Sequence, residues 1–122
     1  MPHVVFDKIV DLEEFSRQFQ LIINKQSGII KLEDVFVDKD KSKALVTAIV
    51  IDDLHQDFMI ELDAKENTST LRLFPMTDPQ KTDGVKTALG LVAQFVLFMS
   101  PNTRILRTNI EQFIPKRIID IK

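Results

Sequence analysis

The chain has 122 residues, room for one domain (residues 1–122) and not two. Apolar residues make up 44% and charged residues 28%, which is ordinary globular usage and argues against a disordered chain. A formal net charge of −2 argues against a general polyanion binder, and the lack of cysteine excludes disulfides, thiol nucleophiles and thiolate-based zinc sites.

Aromatic burial rests on nine Phe, with no Trp or Tyr, and four Met accompany them. That set suits a dry core better than polar recognition. The start, Met1-Pro2-His3-Val4, lacks the basic and apolar regions of a signal peptide. The apolar stretch from Leu89 to Met99 is well short of the roughly 20 residues of a membrane span. A cytoplasmic protein, away from membranes, is therefore expected. Charge is uneven: residues 1–61 carry a net −5 and residues 62–122 a net +3, an asymmetry that suits self-association.

In chain order, Val4 to Val10 reads as a first strand. Asp11 can cap a helix, with Glu14 three residues on and Val10 and Phe15 at staple positions. Leu12, Phe15, Phe19, Ile22 and Ile23 repeat at helical spacing and predict a helix over 12–26, stopped by Gly28. Four strands follow: 29–37, then 43–52, then 57–64 with alternating Phe58, Ile60 and Leu62, then 70–74. Short turns between them favour an antiparallel meander. The run 43–52 is apolar on both faces apart from Thr47, as in a strand covered on both sides. Thr82 or Asp83 can cap a second helix to Met99, stopped by Pro101 and apolar nearly all round in its second half. Thr103 to Ile114 reads as a last strand. Residues 116–122 carry Ile118, Ile119 and Ile121 among Lys and Arg, the pattern of a short edge strand or a docking tail.

The order β-α-β-β-β-β-α-β means an α+β fold, with two helices on an antiparallel sheet of about five to six strands. If both helices cover one face, the apolar residues on the other face of 43–52 need a partner, and a symmetric homodimer is the simplest resolution.

No motif carries a named chemistry. There is no nucleophile elbow for a Ser-His-Asp triad. Asp53, His55 and Asp57 crowd one hairpin and form a weak metal candidate, although strand alternation separates neighbouring side chains. Asp38, Asp40 and Ser42 imitate the start of a calcium loop, but Lys43 and Ile49 stand where such a loop needs Gly and Glu. Lys81, Thr82, Gly84 and Lys86, at a helix start behind a Pro-bounded loop, form an anion-binding candidate. Arg72, Arg104, Arg107, Lys116 and Arg117 could make a basic strip, but no aromatic residue outside the core pattern stands ready to stack on bases, which argues against nucleic acid. Phe58, Phe74, Phe95, Phe98 and Met99 form the candidate apolar pocket or interface.

With no catalytic residues or cofactor indicated, the leading expectation is a non-enzymatic binding or assembly module. It would act as a homodimer, with a protein partner or a small apolar ligand. The alternative is a small enzyme or anion-binding domain built on the loop and helix start at 78–87.

Overall fold

A computed structural model describes residues 1–26 and 28–115. The expected terminal strand or tail at 116–122 lies outside the described residues.

The described residues form an α+β fold with two helices and seven strands: β1 (His3–Phe6), α1 (Leu12–Gln18), β2 (Ile22–Asn24), β3 (Ile29–Val37), β4 (Lys43–Ile51), β5 (His55–Lys65), β6 (Thr68–Leu73), α2 (Asp83–Met99) and β7 (Ile105–Thr108). A 3₁₀ turn follows at Glu111–Phe113. All strand pairs are antiparallel, in the order β2-β3-β4-β5-β6-β1-β7, and the sheet curls into a half-barrel.

The strand count exceeds the expected five to six because β2 lies inside the segment expected to be helical. The helix does begin as its signals imply: the Asp11 carboxylate accepts from Glu13 N and Glu14 N, and Val10 and Phe15 are both buried. It ends at Gln18. Beyond it, Ile22 and Ile23, β-branched and stiff, pair with Leu32 and Lys31 of β3. The helical spacing of 12, 15, 19, 22 and 23 was therefore shared between a short helix and a strand, and pairing with β3 decided the matter. Gly28 stands between β2 and β3, not at a helix end.

The expected strand at 103–114 is also corrected. Only Ile105–Thr108 is a strand, and the chain then turns at Glu111–Phe113 to cross α2. The first strand stops at Phe6, where its register with β7 shifts and Asp7 takes over, accepting from Arg104 N at 2.9 Å.

The inner face of the sheet holds the core. Val46, Ile60, Leu62 and Leu71 are fully buried there, beneath Val85, Leu89, Val92 and Val96 of α2. Burying each such side chain stabilises by about 1.5–3 kcal/mol. The α2 helix is capped by Thr82, whose hydroxyl oxygen accepts from Val85 N. No described helix is long and apolar enough to cross a membrane.

One irregularity decides what the outer face carries. Leu32 pairs with Ala48 but Val35 pairs with Val46, so two residues of β3, Glu33 and Asp34, stand opposite the single Thr47. This β-bulge is fastened by a hydrogen bond from Asp34 N to Thr47 Oγ1 (3.0 Å). It reverses the alternation. Val35 and Val37 pack on the core while Phe36 faces outward, 56% exposed, beside Leu45.

Candidate functional site

A broad recess lies where α2 meets the segment joining α1 to β2. It is an open groove of about 660 Å³ whose apolar lining comes from Leu21, Ile22, Leu91, Phe95 and Phe98. Arg17, Gln18, Gln20 and Gln94 supply its polar rim. Both walls follow from local sequence. The helix α1 stops at Gln18, which swings Leu21 and Ile22 against α2. On α2, Leu91, Phe95 and Phe98 recur at spacings of four and three and share a flank.

Four phenylalanine rings connect this groove to the core. Phe15, fully buried, lies 5.6 Å from Phe95 and 5.8 Å from Phe19; Phe19 and Phe95 meet edge to face at 5.5 Å; and Phe95 lies 6.4 Å from Phe98. Edge-to-face pairs add about 0.5–1.5 kcal/mol each beyond burial, so the floor is held firmly. Exposure rises along the series to Phe98, which is half in water. Arg17 at the rim pairs with Glu14, and Gln18 bonds the same carboxylate. These bonds hold the Glu14 carboxyl below its ordinary value, with Gln18 contributing most.

The structure divides the apolar candidates. Phe95 and Phe98 line the groove. Met99 is half-buried against the core, Phe58 is buried under the sheet, and Phe74 lies on the outer face beside Phe36 and Leu45. Leu21 and Ile22 fall within the 12–26 segment that the helical spacing covers, and that spacing conceals them as groove residues.

The anion-binding candidates are each engaged locally. Lys81 Nζ pairs with Asp78 Oδ1 at 2.7 Å, Lys86 Nζ stands 5.5 Å from the centre of the Phe113 ring, and Thr82 caps the helix. The chain brings its own anion to the helix start. A Cβ on Gly84 would sit 2.6 Å from Asp52 Oδ2, so only glycine allows that carboxylate so close. Hydrogen bonding with the Thr82 side chain, then with backbone N–H groups including that of Leu54, holds the Asp52 carboxyl below its ordinary value. Nothing in the local spacing showed this pairing, because the partners are some thirty residues apart in sequence.

At the hairpin, His55 Nε2 lies 3.3 Å from Asp57 Oδ1, and both side chains are largely exposed. Asp53 does not join them, and no group of three or more potential metal ligands occurs among the described residues. Asp38 closes the β3–β4 turn. Its carboxylate accepts from Ser42 N (2.8 Å) and Lys43 N (3.0 Å), which keeps it below its ordinary value with Lys43 contributing most. Of the arginines, Arg72 is tied to Glu61 on the outer face. No family model matches the chain, and neither a curated protein nor a solved structure matches it.

Proposed function

We propose that the protein is a non-enzymatic binding module that holds the apolar part of a small ligand in the groove between α2 and the α1–β2 segment. The observation that carries this reading is the run of rings from buried Phe15 to half-exposed Phe98, opening into about 660 Å³. That volume is in the range of small-molecule sites, about 300–1,000 Å³, and the apolar lining with a few polar groups at the rim has their character. The loop at 78–87 offers an incoming anion less, because Asp52 and Asp78 already occupy its helix start and Lys81.

A second reading, a homodimer joined through the same groove, is favoured by Leu21 and Phe98, each just over half exposed. Native mass spectrometry on protein purified from its own host separates the two. A retained small molecule, lost in Phe98→Glu, supports the ligand reading. A ligand-free dimer that Phe98→Glu dissociates supports the second. A ligand-free monomer whose melting temperature is unmoved by millimolar medium-chain fatty acid would overturn both.

A further inference from the structure

The outer face of the sheet carries a second surface, separate from the groove. Its centre is β4, where Leu45, Thr47, Ile49 and Ile51 face outward in a row. Carboxylates flank this row on both sides: Glu33 and Asp34 from the bulge of β3, and Asp57, Glu61 and Asp63 from β5. Phe36, turned outward by the bulge, and Met59, opposite Thr47, broaden the apolar strip. Two recesses lie along it. One, of about 180 Å³, has Phe36, Leu45 and Phe74 around Glu61; the other, of about 390 Å³, has Ile49 and Met59 between Glu33 and Asp57.

The acidic character is only partly offset. Lys31 pairs with Glu33 at 3.3 Å and Arg72 with Glu61 at 2.8 Å. Among the described residues, no lysine or arginine forms an ion pair with Asp34, Asp57 or Asp63. Glu61 is only 3% exposed, unusual for a carboxylate on a sheet face that no described helix covers.

We infer that this face docks a basic amphipathic helix of a partner protein. The dimensions agree. The flanking strands β3 and β5 stand two strand spacings apart, about 9.6 Å, close to the width of one helix of about 10 Å. The row from Leu45 to Ile51 runs about 20 Å, the length of about 13 helical residues. An apolar stripe on such a helix covers the row, and lysines or arginines beside the stripe reach the carboxylates on either side. A second copy of this chain fits less well, because two such faces would set carboxylates against carboxylates.

The test uses the full chain, labelled with ¹⁵N, and two synthetic 14-residue amphipathic helices of leucine with either lysine or glutamate. The lysine peptide should shift the amides of Phe36, Leu45, Ile49 and Met59 and leave those of Phe95 and Phe98 in place. Its Kd should weaken about tenfold between 50 and 500 mM salt. Phe36→Ser and Asp57→Lys, both at exposed positions, should each weaken binding about tenfold in a protein that still melts normally. Equal binding of the glutamate peptide, binding confined to the groove, or no binding of the lysine peptide at millimolar concentration would overturn the inference. So would concentration-dependent shifts of the same four amides in the protein alone, which would assign the face to a second copy. Because the groove plays no part in these readouts, failure here leaves the ligand reading standing.

Discussion

Ala44, Val46, Ala48 and Val50 are sealed beneath α2, at most 2% exposed, whereas Leu45 and Ile49, from the same unbroken apolar run, face the other way and keep part of their surface in water. The inner residues are small or β-branched and are buried in one core with the apolar residues of α2. The outer ones meet only side chains of neighbouring strands, several of them charged. One face is finished within the chain, and the other keeps an apolar row among carboxylates, partly in water. Apolar sequence alone thus does not say where a strand's second face ends up. What lies across from it does.

The contrast predicts unequal costs. Ile60→Ala, on the inner face, should cost about 2–5 kcal/mol in urea unfolding, while Leu45→Ala, half-buried outside, should cost less than about 1 kcal/mol. Equal costs would mean that the outer face is covered in solution. Gly90→Ala tests how α2 is held over the inner face. The added Cβ would lie 1.9 Å from the Phe113 carbonyl oxygen, so the 3₁₀ turn must lift from the helix. A loss of about 1–3 kcal/mol is expected, read as a lower melting temperature. An unchanged melting temperature would show that the turn gives way freely.

The smallest effect concerns Asp52, which ties the end of β4 to the start of α2. Its carboxyl is held below its ordinary value, so its stabilising contribution is full above the unfolded value of about 3.9 and is lost as pH falls through the lower folded value. Asp52→Asn should therefore melt a few degrees below the wild type at neutral pH, with the gap closing below about pH 4. A gap that persists at pH 2 would assign the effect to shape and not to charge.

Much of this architecture was legible. The Asp11 cap, the four central strands and the second helix all followed from local chemistry, since each depends on residues within a few positions of one another. The parts that were not legible depend on distant partners. Ile22 and Ile23 fit a helical stripe until β3 offered them a strand to pair with. The groove is hidden for the same reason, because Leu21 and Ile22 belong to that same stretch of helical spacing. Phe58 and Phe98 looked alike in the sequence, yet one is buried and the other half exposed. The proximity of Asp52 to Gly84 is wholly tertiary.

The extra residue in β3 has a consequence for how the outer strip is inherited. Phe36 is outward only because Glu33 and Asp34 together oppose Thr47. Flattening the bulge while keeping both residues would turn Phe36 inward and Val35 and Val37 outward, whereas deleting either residue would leave one residue opposite Thr47 and keep Phe36 outward. The bulge thus absorbs the extra residue and keeps the facing of Val35, Phe36 and Val37 intact beyond it. A chain could omit the codon for either residue and keep the apolar strip facing outward, losing only one of the carboxylates beside it.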